Sequence, residues 1–167
     1  MKIRPVILCG GSGTRLWPDI KNHQAKQFIN FGNWTLLGKT LERIKNPIFD
    51  SPVISTNIKY LKEIKKFLKK HNIKKYKIVL EPAKMNTGPA ILSATLINDI
   101  PEKQPLIFLS SDHLIEKENT FFKEIKIHKK YLTNKNIFIF GIKPTIPSSE
   151  YGYFLTKKNK KINSVKK

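Results

Sequence analysis

Cysteine is all but missing from this chain: Cys9 stands alone, inside an apolar run. One thiol cannot build a disulfide framework, and its burial in a strand suits a reducing compartment. Arginine is scarce too, confined to Arg4, Arg15 and Arg43. Acidic residues are few, 12 against 32 lysines and arginines, so the formal net charge is +20. A surplus of that size suits nucleic-acid binding only where it gathers into a patch. Here it is spread along the chain and carried almost wholly by lysine, whereas base readout leans on the arginine fork. A nucleic-acid partner is not expected. The charge still draws anionic nucleotides, more strongly at low salt. Long hydrophobic runs are absent as well. No stretch approaches the roughly 20 apolar residues that span a bilayer, and the run before Gly10 is too short for a signal-peptide core. A soluble, cytoplasmic protein with no membrane partner is the expectation.

What is present is an alternation. With 167 residues, 40% of them hydrophobic, the chain can bury one sizeable core as a single domain. Apolar, β-branched runs predict strands over 3–9, 52–55, 78–80, 106–109 and 137–142. Helical spacing predicts helices over 35–45, 59–70, 89–100 and 120–132. In the second, Leu61, Ile64 and Leu68 form an apolar stripe beside a lysine-rich face. Strand and helix in turn predict an α/β fold, Rossmann-like, with a mostly parallel sheet and helices on both faces. The proline- and serine-rich 144–149 segment reads as a loop, and the lysine run 157–161 as a solvated turn.

Chemistry concentrates after the first strand, in Gly10-Gly11-Ser12-Gly13-Thr14-Arg15-Leu16-Trp17-Pro18. Glycines let successive N–H groups converge on anionic oxygens where a Cβ would clash, and Arg15 adds a planar cation suited to phosphate. Two commoner phosphate motifs do not fit. The dinucleotide fingerprint fails because Leu16 occupies the third glycine position. A Walker A loop fails because Gly32…Gly38-Lys39-Thr40 holds one residue too many, and that segment reads as a core-facing helix with Lys39 in solvent. The Gly loop follows the first predicted strand, Glu81 the third and Ser111-Asp112-His113 the fourth, the positions at which open α/β sheets collect ligands. Adjacent in one turn, Ser111, Asp112 and His113 cannot align as a catalytic triad.

The stretch from Gly10 to Pro18, followed by Lys26-Gln27-Phe28, resembles the signature of the sugar-phosphate nucleotidyltransferases, most closely the mannose-1-phosphate guanylyltransferases. Glu81-Pro82, Asn86-Thr87-Gly88-Pro89-Ala90-Ile91, Ser111-Asp112-His113, Gly141-Ile142-Lys143-Pro144-Thr145 and Tyr151-Gly152-Tyr153 follow in the expected order. The resemblance implies the nucleotide-diphospho-sugar transferase fold, with residues 1–167 forming the N-terminal part of the catalytic domain. It implies transfer of GMP from GTP to mannose-1-phosphate, giving GDP-mannose and pyrophosphate, with Mg²⁺ as cofactor.

On that resemblance Arg15, Lys26 and Asp112 are the catalytic residues, with Asp112 also the metal ligand; capping of the next segment is its plainer role. Gly10, Gly11, Ser12, Gly13, Thr14, Gln27, Glu81, Asn86 and Thr87 bind the nucleotide. Gln27 could bond either the base or the loop, and Glu81 could accept from N1–H and the exocyclic amine of guanine. Asn86-Thr87 could bond base or ribose, or cap the helix that opens near Pro89. Tyr151 and Gly152 line the sugar side, or else belong to an aromatic strand.

Departures from the family pattern are small in the loop. Ala25 stands where proline usually precedes Lys-Gln-Phe, Cys9 and Gly88 replace alanines, and Ser110-Ser111 replaces Pro-Ala. One departure is large: the family's Phe-x-Glu-Lys-Pro segment and a second aspartate do not occur. The expectation is therefore an impaired catalyst, with an open sheet edge that favours a homo-oligomer or a complementing C-terminal half. A non-catalytic nucleotide-binding subunit that needs a partner, or a transferase for another sugar-1-phosphate, is the alternative.

Overall fold

The computed structural model describes residues 1–11, 25–83, 86–98, 100–133, 136–149 and 151–154. The chain divides into two compact units, Met1–Lys135 and Asn136–Lys167. The first holds every helix and strand among the described residues. It runs β1 (Arg4–Leu8), β2 (Asn30–Phe31), β3 (Trp34–Thr35), α1 (Leu36–Arg43), β4 (Val53–Asn57), α2 (Leu61–Lys70), β5 (Lys77–Glu81), α3 (Thr87–Thr95), β6 (Leu106–Ser110) and α4 (Glu118–His128). The strand-helix alternation read from the sequence is thus present, with boundaries moved by a few residues.

Four strands form one parallel sheet in the order β5-β4-β1-β6. Val6 sits opposite Val53 on one side and Phe108 on the other, so β1 is central. From β1 the chain steps outward to β4 and β5, then returns across the sheet to place β6 on the far side of β1. Right-handed crossovers require the helix of that return to lie on the opposite face. The packing agrees. Ile3, Ile7, Cys9, Ile54 and Leu109 pack with Leu37 and Leu41 of α1, Ile64 and Leu68 of α2 and Ile125 of α4. The alternate residues Val6 and Val53 pack with Ala94 of α3. The two-residue period of the strands sends each face to its own helices. Both faces are covered, as expected.

At the N-terminal pole of the sheet, buried Arg4 is satisfied from three directions. Its guanidinium donates to Gln104 Oε1 (2.8 Å), to the Ser51 carbonyl and hydroxyl (2.9 and 2.8 Å) and to Asp50 Oδ2 (2.8 Å). A second buried arginine, Arg43, ties α1 to the start of α4 through Glu118 (2.9 Å). Helix α1 begins where Thr35 Oγ1 accepts the Gly38 N–H (2.9 Å), a side-chain N-cap.

One expectation changes and one open alternative closes. The 137–142 run is not a strand: no ladder forms there, and Ile137 and Ile142 are almost fully exposed. β-branched composition records suitability for a pleated, half-buried surface, and without burial it does not make a strand. Tyr151-Gly152-Tyr153 is likewise not part of a sheet. Within the second unit, the Tyr153 hydroxyl donates to the Ser148 carbonyl (3.0 Å) and accepts the Ser148 N–H (2.8 Å). The Phe154 ring lies 2.8 Å from the position of a Cβ on Gly141. The lysine run 157–161 lies outside the described residues. Among the described residues no helix is long and apolar enough to cross a membrane.

Candidate functional site

The carboxyl ends of the four parallel strands bring together Cys9, Gly10 and Gly11 after β1, Ser55 and Thr56 in β4, Glu81 ending β5, and Ser110 ending β6 with Ser111 and Asp112 after it. The strand order reverses between β1 and β6, so this is the crevice where open α/β sheets bind ligands. The short 3₁₀ turn Lys26–Phe28 adds two polar residues to it. Phe28 anchors that turn: its ring is buried and packs on Tyr60 and Phe67, with centroids 5.6 and 5.5 Å apart.

The predicted residues separate into three groups. The first is assembled. Lys26 Nζ lies 3.5 Å from Asp112 Oδ2, each side chain about a third exposed (37% and 34%). Asp112 also accepts a hydrogen bond from the Ser110 hydroxyl. Burial pushes the Asp112 carboxyl up, but the Ser110 hydroxyl and the Lys26 ammonium outweigh it and hold the group below its ordinary value. Asp112 is therefore an anion at neutral pH. Gln27, almost fully buried, donates from Nε2 to the carbonyls of Cys9 and Gly11 (3.2 Å each). Of the two tasks open to it from sequence, its side-chain amide holds the loop.

Glu81 is the other assembled residue. Its Oε1 accepts from the Ser55 hydroxyl at 2.6 Å, and its carbonyl accepts from Asn57 Nδ2 at 3.1 Å. A Cβ on Gly10 would lie 3.0 to 3.3 Å from the carboxylate of Glu81, whereas one on Gly11 would meet nothing within 4 Å. Neither glycine has a positive φ; among the described glycines only Gly32 does. The sequence suggests Gly10 as one of the glycines that let backbone N–H groups converge on phosphate. Here its missing side chain makes room for Glu81.

The second group sits elsewhere or is bonded differently. Asn86 occupies the position before α3 but makes no side-chain capping bond, and the helix opens at Thr87 rather than Pro89. Its φ of 64° with ψ of −168° is a conformation that non-glycine residues rarely hold, and such strain clusters at functional sites. Asn86 and Thr87 are exposed. Tyr151 and Gly152 belong to the second unit, where both are exposed. Ser111 is buried with its hydroxyl bonded to the Cys9 thiol, while His113 is exposed, so the three adjacent residues are no triad. The third group, Ser12, Gly13, Thr14 and Arg15, lies outside the described residues.

Cys9 is no nucleophile. Complete burial pushes its thiol up to about 12, assisted by the nearby Asp112 and Glu81 charges and opposed by the Ser111 hydrogen bond. Among the described residues no three histidines, cysteines or acidic side chains gather as a metal cage. A single carboxylate, about a third exposed and backed by the Ser110 hydroxyl, instead suits a hard cation that takes its other ligands from water and phosphate. Sequence reasoning missed Ser55, Thr56 and Ser110. The available signal was a polar pair, Ser55-Thr56, at the end of an otherwise apolar strand.

Fold and site together define a doubly wound α/β protein with a carboxylate, a lysine and a glycine turn at its switch point. Residues 4–166 match the family described as nucleotidyl transferase, and the chain belongs to that family. It is 36% identical over 152 residues to the mannose-1-phosphate guanylyltransferase of Salmonella montevideo, covering 90% of this chain and 32% of that protein. To a mannose-1-phosphate guanylyltransferase of Escherichia coli it is 38% identical over 153 residues, covering 89% and 33%. The chain thus spans about a third of the length of these curated relatives. Among solved structures, the 4-diphosphocytidyl-2C-methyl-D-erythritol synthase of Anaerococcus prevotii shares the fold, with a TM-score of 0.55 and 18% identity, over 77% of this chain and 51% of that one.

Proposed function

We propose that this chain carries the nucleotide side of a guanylyltransferase that joins GMP from GTP to mannose-1-phosphate. The observation that carries the reading is the Lys26–Asp112 pair, 3.5 Å apart, beside the Gly10-Gly11 turn at the switch point. One oxygen of the sugar phosphate attacks the α-phosphorus of GTP, a new P–O bond forms, the α–β bond breaks, and pyrophosphate leaves. Nothing in that displacement needs a protein nucleophile, so the protein's work is positioning and charge neutralisation. Amides of the glycine turn with Ser12, Gly13, Thr14 and Arg15 hold the β- and γ-phosphates. Gln27 fixes the turn from behind. Lys26 leaves Asp112 to offset charge at the reacting phosphate. A Mg²⁺ ion held by Asp112 supplies further neutralisation of the phosphate oxygens when bound. Glu81 accepts from the guanine N1–H and exocyclic amine, Asn86 and Thr87 contact base or ribose, and Tyr151 and Gly152 serve the sugar.

The alternative reading is that residues 1–167 bind GTP as a non-catalytic subunit that needs a partner for turnover. One experiment addresses both. Pyrophosphate release is measured with GTP, Mg²⁺ and mannose-1-phosphate, alongside GTP affinity, for the chain and Asp112→Asn. Losing one charged transition-state contact costs about 10²–10³ in rate, so turnover reduced at least a hundredfold by the substitution supports the first reading. Tight GTP binding without turnover supports the second. Full turnover by Asp112→Asn overturns the assignment of Asp112, and failure of the unsubstituted chain to bind GTP overturns both readings.

A further inference from the structure

We propose that Ser55 is a positioning residue for nucleobase selection, acting through Glu81; the inference rests on the reading of Glu81 given above. Ser55 is fully buried, and the two-residue period puts it on the face of β4 that Val53 shares with Val6 and Ala94. A hydroxyl there costs stability unless it is bonded. Its partner is a carboxylate: Ser55 Oγ donates to Glu81 Oε1 at 2.6 Å, the short distance of a charge-assisted bond. The Ser55 carbonyl meanwhile accepts the Cys9 N–H at 2.7 Å, immediately before the glycine turn. One buried residue therefore holds both the root of that turn and the side chain at the end of β5.

Gly10 completes the arrangement. With Oε2 3.0 Å and Oε1 3.2 Å from the place of its missing Cβ, the Glu81 carboxylate is confined between Ser55 and the Gly10 backbone. No ion pair consumes it among the described residues. A carboxylate offers about four acceptor sites, and Ser55 uses one. Among the described residues no other donor to this carboxylate is found, and the sites left suit a ligand with adjacent N–H donors, which guanine presents and adenine does not. A hypoxanthine base presents one donor of the pair. A carboxylate with its torsions held selects among these three; one free to swing meets water or another donor and selects less.

The test measures affinities for GTP, ITP and ATP, with Mg²⁺ present, for the chain, Ser55→Ala and Gly10→Ala, with thermal melts alongside. The parent is expected to rank GTP above ITP above ATP. Ser55→Ala is expected to lower the GTP-to-ATP preference about tenfold, the worth of one hydrogen bond to a charged group, with ATP affinity held within about twofold. Gly10→Ala displaces the same carboxylate and is expected to lower the preference likewise. Should alanine at position 55 prevent folding, Ser55→Cys, which keeps the volume and loses the strong donor, carries the same expectation. An unchanged preference in folded Ser55 variants, or equal losses for GTP and ATP, overturns the role of Ser55 and leaves the reading of Glu81 standing. A parent that binds these nucleotides without preference overturns the reading of Glu81 itself, and one that binds none overturns the site.

Discussion

Single residues carry the polar architecture of this molecule, and most of them act on one another rather than on solvent. Gln27 has both its bonds from Nε2 directed at backbone carbonyls of the glycine turn, so the amide that looks like a base reader in the sequence works as a brace. Arg4, by position a mere cation near the chain start, is the centre of a buried network. Its neighbour Asp50 makes that network pH-sensitive. The Gln104 side chain, then the Ser51 N–H, lower the Asp50 carboxyl below its ordinary value; burial works against them, and the Arg4 charge with them. A carboxyl lowered on folding stabilises fully above its unfolded value, about pH 4, and that contribution is lost as pH falls through the folded value. Asp50→Asn is therefore expected to be less stable than the parent at pH 7, with a smaller further loss between pH 5 and pH 2. Urea midpoints at those pH values check this; parallel losses in the two proteins would sink it.

At the scale of elements, the two glycines of α1 and α3 make opposite predictions from one propensity. Glycine in a helix is less favourable than alanine by roughly 0.5–1 kcal/mol. A Cβ on Gly88 would meet nothing within 4 Å, so Gly88→Ala is expected to stabilise by about that amount. A Cβ on Gly38 would lie 2.9 Å from Thr35 Oγ1 and 3.1 Å from His71 Nε2. It would push on the hydroxyl that caps α1, and loss of such a cap costs about 1 kcal/mol. Gly38→Ala is expected to be neutral or destabilising, so calorimetric melts should show a raised midpoint for Gly88→Ala and no rise for Gly38→Ala. The helices were legible because their apolar spacing is local: Ile64 and Leu68 are buried on α2 as their spacing required. The 137–142 run was misread for the complementary reason. Alternating β-branched residues describe a segment able to pair, and pairing needs a neighbour.

The molecule as a whole sets apolar surface against charge. Helix α3 turns Ala90 and Ala94 to the sheet and leaves Leu92, and Leu96 just past its end, 60% and 69% exposed. Both outer strands of the sheet, β5 and β6, have a neighbour on one side only among the described residues. Exposed apolar surface and open edges favour association, while a net charge of +20 opposes it by mutual repulsion. Salt screens the repulsion and spares the apolar attraction. Self-association is thus expected to rise between 50 mM and 500 mM salt, and Leu92→Lys with Leu96→Lys is expected to suppress it. Sedimentation velocity at several concentrations is the measurement, and a monomer throughout would show that this face is not adhesive.

The amino-acid sequence by itself determined the order of strands and helices in the first unit, the place of the glycine turn after β1 and the presence of Asp112 after β6. Those are properties of neighbours along the chain: period two, period 3.6 and short motifs. Tertiary structure alone decided that β1 lies between β4 and β6 and that Lys26 reaches Asp112. It also decided that Ser55 and Gly10 hold Glu81 between them. These depend on the hand of the crossovers and on which face each strand buries, and both are settled only when the sheet closes around a common core.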